Sequence, residues 1–311
     1  MKFKSIFCFC LALLPSIIHG EFRKETIELL DRIATSGGNI SSVFQPSVNG
    51  FLGSGMSGVV YKGVLIKTNA TVAMKFIPDA DEVVADAEFA SYRTLGAYGN
   101  RSRNIEAYGV PKLHYYGKWN GSTLLGISLL DSEFAKRRVR ARLTVGDFLI
   151  LFRELVRISK YIHSRGICHG DLHTDNIMFR NNQGFVIDYE GSTNKKDDPE
   201  EFVLDAQRDW RKFLSDISPL FGIRINWASS RNPINLYKNI QPEGLKRVFL
   251  EFIKTAYVDR ELNYDKVYRI INQEIAKYFG RRPALVSWLT PDQQREAIAV
   301  QIPPIESILF Q

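Results

Sequence analysis

The chain has 311 residues, 45% of them hydrophobic and 24% charged, an ordinary globular composition that excludes a disordered chain, a coiled coil and a disulfide-stapled miniprotein. A chain of this length buries roughly 75% of its unfolded surface, so one two-lobed domain or two modest domains both fit. The 41 Lys+Arg against 34 Asp+Glu give a formal net charge of +7, which permits contact with phosphates, acidic surfaces or membranes and says nothing of fold.

In chain order, Lys2 and Lys4 precede an apolar run from Ile6 to Ile18, and His19-Gly20 places a small residue before Glu21. This is the layout of a secretory signal over residues 1–20, because the run is shorter than the roughly 20 residues a bilayer crossing takes; a buried N-terminal helix is the alternative. Cleavage after Gly20 would leave 39 basic against 34 acidic residues, or +5, with Cys168 as the one remaining cysteine. No internal disulfide could then form. Residues 21–50 read as an N-terminal extension, and no later window approaches transmembrane length. Sequons at Asn39, Asn69, Asn100 and Asn120 fall at expected turns or loops, where glycans on a secreted chain need to be.

Residues 51–130 read as a β-rich lobe. Val59-Val60-Tyr61, Val64-Leu65-Ile66 and Thr71 to Phe76 carry the β-branched and aromatic residues that strands favour. Asp79 to Leu95 reads as a helix with acidic residues in its first turn, where the helix dipole stabilises them. Lys112 to Trp119 and Ser122 to Leu130 flank the hairpin signal Asn120-Gly121. Residues 131–290 are mainly helical. Thr144 and Asp147 form a capping-box pattern before a helix with Phe148, Phe152, Leu155, Tyr161 and Ile162 near one face. A strand pair, Ile177 to Phe179 and Phe185 to Ile187, precedes helices near Glu201 to Ser215, Glu243 to Tyr257 and Asp265 to Tyr278, and residues 291–311 form a tail.

Four short motifs carry chemistry. Gly53-Ser54-Gly55-Met56-Ser57-Gly58 lies between two expected strands, where glycines let backbone N–H groups approach phosphate oxygens; alone, it is equally an ordinary glycine-rich hairpin. Lys75, in Val72-Ala73-Met74-Lys75, sits on an apolar strand and needs an anion to offset desolvation. Glu88 on the following helix could supply one side of that pairing, with Glu82 a competitor, although a lone strand Lys usually lies in water. His169-Gly170-Asp171-Leu172-His173-Thr174-Asp175-Asn176 places a carboxylate and an amide five residues apart in a loop. Asp188 ends an apolar strand twelve residues after Asn176, and Asn176 and Asp188 could share a hard cation such as Mg²⁺.

In this order and spacing, the motifs resemble those of the protein-kinase-like superfamily over roughly Phe51 to Leu214. The resemblance implies a bilobal α+β fold that moves the γ-phosphoryl group of ATP to a hydroxyl acceptor. By resemblance, Gly53, Ser54, Gly55, Gly58, Val60 and Lys75 would bind the nucleotide, and Glu88 would hold Lys75. Asp171 would be the base, and Asn176 and Asp188 the Mg²⁺ ligands. Gly170 stands where a typical protein kinase has Arg, His173 where Ser/Thr kinases carry Lys, and Tyr189-Glu190 replaces Phe-Gly. Only seventeen residues separate Asp188 from Asp205. In these respects the chain is similar to aminoglycoside and choline phosphotransferases and to small atypical kinases. Asp205, with Asp209 as the alternative, would then be buried and brace the catalytic loop.

The acceptor could be a small molecule, a glycan or a protein, and the other class of function is a secreted pseudokinase that binds nucleotide and regulates a partner. ATP is scarce outside cells, so a secretory lumen, or delivery into a host cell as an effector, would have to supply it. The basic run Lys136-Arg137-Arg138-Val139-Arg140-Ala141-Arg142 has no interleaved aromatic residue, so it predicts a solvated face and no nucleic-acid partner. Cys168 beside His169 predicts a buried small residue in place of a thiol nucleophile, and the hard Asp/Asn set points to Mg²⁺ over zinc.

Overall fold

A computed structural model of the chain describes residues 4–55, 57–131, 143–194, 199–221, 240–259 and 262–299, with side chains from Gly20 onward except at 100–103, 199 and 299. The run Lys136–Arg142 lies outside the described residues, as does the end of the tail. The chain divides into two compact units, Met1–Phe89 with Lys112–Leu129, and Ala90–Pro111 with Leu130–Gln311. The first is built on a sheet and the second on helices, so the α+β class expected from the sequence holds.

In the first unit, helix α1 (Lys4–Thr35) leads into strands β1 (Phe44–Ser54), β2 (Val59–Leu65) and β3 (Ala70–Pro78), then helix α2 (Glu82–Thr94), whose residues from Ala90 on count with the second unit, strand β4 (Leu113–Trp119) and strand β5 (Ser122–Ser128). The strands form one antiparallel sheet in the order β1-β2-β3-β5-β4. The two apolar pieces at 59–61 and 64–66 fuse into a single strand because alternation continues through Lys62 and Gly63. Asn120 and Gly121 both take positive φ, 46° and 69°, which gives the two-residue hairpin turn whose twist matches the flanking strands.

One face of the sheet is the core. Phe44, Tyr61, Val72, Met74, Phe76 and Leu124 are buried there, together with Leu30 of α1 and Ile40. Thr26, Leu30 and Ala34 recur every four residues and are the buried positions on the C-terminal half of α1, as a helix packed along one stripe requires. The Tyr61 hydroxyl donates to Asp31 and ties the same helix to β2. The sheet thus begins at Phe44, inside the segment read as an extension, and α1 runs without a break through the segment read as a leader. Among the described residues, no helix is long and apolar enough to cross a membrane.

In the second unit, helix α3 (Val145–Ser164) starts at Thr144, whose hydroxyl and backbone exchange hydrogen bonds with Asp147. Strand β6 (Ile167–Cys168) pairs with β9 (Thr193–Asn194), and β7 (Ile177–Arg180) with β8 (Gln183–Val186). Helices α4 (Pro199–Ile217), α5 (Glu243–Tyr257), α6 (Tyr264–Phe279) and α7 (Pro291–Ala299) follow. Phe152 of α3 lies 5.5, 4.9 and 4.6 Å from Phe213, Phe249 and Phe252, an aromatic core joining three helices.

The sequence pattern predicts one apolar face on α3, and the structure buries the helix on every side. Glu154 and Arg157, both buried, are satisfied internally. Arg157 pairs with Glu154 at 2.6 Å and donates to the Gly184 carbonyl at 3.1 Å, while the Gly184 N–H donates to Glu154. Burial alone would raise the Glu154 carboxyl, but Arg157 and Arg153 with these hydrogen bonds hold it below its ordinary 4.5.

Candidate active site

Lys75 stands on β3 opposite Val60 of β2 and Leu125 of β5. Directly opposed residues share a face, so Lys75, Val60 and Leu125 point away from the core that takes Met74 and Phe76. The Lys75 ammonium lies 2.9 Å from Glu88 Oε2, with the side chains 14% and 3% exposed. A carboxylate buried to that degree needs a cation. Glu82, the competing partner, pairs with Lys118 at 2.8 Å instead.

The glycine-rich segment turns from β1 into β2, with the Gly55 N–H donating to the Gly58 carbonyl at 3.0 Å. At Gly58 a Cβ would meet the Phe76 carbonyl oxygen at 2.1 Å, so only glycine lets the strands close. Nothing lies within 4 Å of a Cβ built at Gly53 or Gly55. Side chains there would fill open space in front of the backbone. Met56 lies outside the described residues.

In the second unit, the loop from His169 to Asn176 is gripped from below by α4. Asp209, 1% exposed, accepts hydrogen bonds from the backbone N–H groups of His169 at 2.7 Å and Gly170 at 2.8 Å. His163 Nε2 lies 3.3 Å from the same carboxylate, and its Nδ1 meets the Tyr264 hydroxyl at 2.5 Å. One turn further on, Lys212 forms an ion pair with Asp171 Oδ1. Asp216 then accepts from both the backbone N–H and the hydroxyl of Thr174. Positions 209, 212 and 216 lie on one helical face at spacings of three and four, and each grips a successive part of the loop.

This corrects the bracing residue. Asp205 is paired with the exposed Arg208, and Asp209 is the buried carboxylate on the loop. The sequence gives His163 no metal-site spacing with His169 and His173, and its place beside Asp209 comes from the packing of α3 on α4; for Lys212 and Asp216 the 209-212-216 spacing is the signal.

His169 is fully buried. Its Nδ1 accepts from the Asp171 N–H at 3.2 Å and its Nε2 faces the Ile187 carbonyl at 2.9 Å, which assigns the neutral Nε2–H tautomer. Burial lowers its pKa more than Asp209 and the Ile187 carbonyl raise it. Both nitrogens are thus occupied, and Cys168 is buried with its Sγ 3.7 Å from the Phe202 carbonyl, so the adjacent pair has no thiol-activating geometry. Gly170 has φ +79° and a Cβ there would lie 2.2 Å from the Gly191 carbonyl oxygen. An arginine at this position has no room in the observed backbone.

Asp171 is half-exposed. Its partial burial pushes the carboxyl up, but the hydrogen bond from Lys212 and the charges of His173 and Lys212 leave it below its ordinary 3.8. His173 Nε2 lies 3.4 Å from its Oδ2. Asn176 is buried, and its Nδ2 donates to the Asp171 carbonyl at 3.0 Å. That leaves Oδ1 as the oxygen it would offer a hard cation. The Asn176 carbonyl accepts from the Ile187 N–H at 3.0 Å, so both His169 and Asn176 fix Ile187, the residue before Asp188. Asp188 has φ +67° and ψ +66°, a left-handed conformation that Asp adopts more readily than most residues. Tyr189 packs 5.0 Å from the His169 ring and 5.2 Å from Tyr92. An amide oxygen and a carboxylate on two adjacent, cross-linked segments suit Mg²⁺, which takes few protein ligands and keeps the rest for phosphates and water.

Comparison with known proteins shows the family. Residues 47–207, just over half of the chain, match the protein kinase domain family. A protein named as a serine/threonine-protein kinase in Acanthamoeba polyphaga mimivirus is 26% identical over 176 residues, 55% of this chain and 28% of the relative. A casein kinase I homolog of Encephalitozoon cuniculi is 27% identical over 140 residues, 44% of this chain and 45% of the relative. The serine/threonine-protein kinase PknD of Chlamydia felis is 40% identical over 62 residues, 20% of this chain and 7% of the relative. The chain spans less than half the length of each of these relatives.

Proposed function

Because the chain belongs to the protein kinase domain family, we propose that it is an ATP-dependent phosphotransferase that moves the γ-phosphoryl group to a hydroxyl acceptor. The observation that carries this reading is the nearly buried Lys75–Glu88 pair at 2.9 Å, an ammonium held on the face that Val60 shares and free of the hydrophobic core. Lys75 takes the charge of the ATP phosphates, and the open backbone at Gly53 and Gly55 receives their oxygens. Val60 contributes apolar surface for the base. Asp171 accepts the proton of the acceptor hydroxyl and orients its oxygen towards the phosphorus. Asn176 and Asp188 would hold Mg²⁺, which when bound neutralises phosphate charge.

The finer placement, beside the aminoglycoside and choline phosphotransferases and the small atypical kinases, rests on Gly170 and His173. The backbone packed at Gly170 leaves no room for the arginine that docks a phosphorylated activation loop, which argues against that mode of regulation, and His173 in place of the Ser/Thr-kinase Lys supports a small-molecule or glycan acceptor. We place the protein in a secretory lumen or, alternatively, in a host cell as a delivered effector. Asn39, Asn69 and Asn120 are exposed, which is compatible with glycans there.

Purified protein with ATP and Mg²⁺ tests the reading. Lys75→Met and Asp171→Ala are each expected to lower phosphate release by about 10²–10⁴-fold while keeping the wild-type circular dichroism spectrum. Turnover at the wild-type rate by a folded Asp171→Ala variant overturns the mechanism. A wild-type protein that shows an ATP·Mg²⁺ thermal shift and no turnover is instead the pseudokinase.

A further inference from the structure

The loop that presents Asp171, residues 169 to 176, contains no Lys or Arg. Phosphoryl transfer spreads negative charge over the oxygens of the moving group, and preorganised cations at that point supply much of the rate. A cation does reach the base from outside the loop. Lys212, on the α4 face that also carries Asp209 and Asp216, is paired with Asp171 Oδ1. The two other side chains of this face bind backbone N–H groups of the loop and hold its shape. The middle one binds the reacting carboxylate itself.

Stability does not account for the pair. Lys212 is 48% exposed and Asp171 42%, and ion pairs so exposed contribute about 0–1 kcal/mol. Asp209 and Asp216 already anchor the loop on either side.

Resting on the phosphotransferase reading above, we propose that Lys212 is a catalytic residue that passes from Asp171 to the oxygens of the transferred phosphoryl group. As the acceptor oxygen–phosphorus bond forms and the bond from phosphorus to the β,γ-bridging oxygen breaks, the acceptor proton moves to the Asp171 carboxylate. The negative charge that held Lys212 disappears at that moment, and negative charge is present on the phosphoryl oxygens beside it. The ammonium follows the charge. Lys212 thus supplies from helix α4 the lysine-type cation that the loop, whose basic side chains are His169 and His173, does not carry, and its length and freedom, half in solvent, suit a group that changes partners within a turnover.

The test uses the full chain with ATP·Mg²⁺ and water as acceptor, reading phosphate release, and compares wild type, Asp171→Asn, Lys212→Met and Lys212→Cys. Lys212→Met is expected to lower kcat by about 10²-fold with the KM for ATP and the thermal midpoint unchanged. Alkylation of Lys212→Cys with 2-bromoethylamine, which rebuilds an ammonium at nearly the lysine length, is expected to restore at least a tenth of the wild-type kcat, with wild type treated alongside as control. A Lys212→Met kcat within threefold of wild type, or a loss that simply follows a lowered midpoint, overturns the proposal. If Asp171→Asn abolishes turnover and Lys212→Met does not, this inference alone fails. If wild type and Asp171→Asn release phosphate at the same rate, the phosphotransferase reading fails and takes the inference with it.

Discussion

Asp205 and Asp209 stand four residues apart on α4, and Asp209 holds the catalytic loop, its two oxygens accepting separate backbone N–H groups at 2.7 and 2.8 Å. An amide at this position keeps the volume but replaces one acceptor by a donor, so Asp209→Asn leaves a buried N–H unmet. The expected cost is about 1–3 kcal/mol, together with a large loss of phosphate release as His169 and Gly170 shift. Asp205→Asn, which keeps the volume and weakens the pair with the exposed Arg208, is expected to cost less than Asp209→Asn on both measures. Urea denaturation and turnover measured on both variants check this; equal behaviour of the two would show that the brace is not Asp209. The positions of Lys75, Asp171, Asn176 and Asp188 could be picked out in the chain because each sits in a short local motif. The brace could not be settled that way, since two acids on one helix differ only by rotation about its axis. Lys212 was less legible still, being 41 residues from Asp171 and joined to it only by the packing of α4 under the loop.

Helix α3 shows the same limit one level up. Its start was readable, because Thr144 and Asp147 exchange bonds within four residues, and so was the β4–β5 hairpin, whose Asn120-Gly121 turn is a local property. Its far side was not, because Glu154 and Arg157 read as solvent-facing residues until β8 is laid against them. There they form a closed network with the Gly184 backbone. Removing one partner of a buried pair leaves the other uncompensated, so Glu154→Gln is expected to lose about 3–5 kcal/mol in urea denaturation at neutral pH. The pH dependence has a definite direction. The native Glu154 carboxyl ionises below its ordinary 4.5, so its contribution is complete above that value and drains away as acid protonates it in the folded protein. The Gln variant lacks this component, so its deficit against wild type narrows below about pH 4.5. A deficit that stays constant from pH 7 to pH 3 would mean that the lost stability comes from packing and not from the carboxylate.

At the scale of the whole chain, the first 35 residues carry two readings at once. The charge pattern and apolar run up to Ile18 have the layout of a secretory signal, which was legible because that layout is one-dimensional. The packing of α1 was not, because a helix stripe of Thr26, Leu30 and Ala34 across a Glu/Lys/Arg-rich segment shows itself only against the sheet that it covers. The two readings make separable predictions. Thr26, Leu30 and Ala34 are buried, and a chain beginning at Glu21 keeps all three, together with the cluster that Leu30 shares with Ile40, Phe44 and Tyr61. Such a chain is expected to keep amide protection in β2 and β3 at the full-length level in hydrogen exchange. Leu30→Ala within it removes a fully buried side chain from a packed cluster and is expected to cost about 2–5 kcal/mol. Local protection of the sheet reads that loss unit by unit, which suits a chain with two compact units better than a single melting point. Protection in β2 unchanged by Leu30→Ala would show that α1 lies on the sheet without stabilising it. Loss of protection in the chain that starts at Glu21 would show that residues 4–20 belong to the folded unit, and the leader reading would fall.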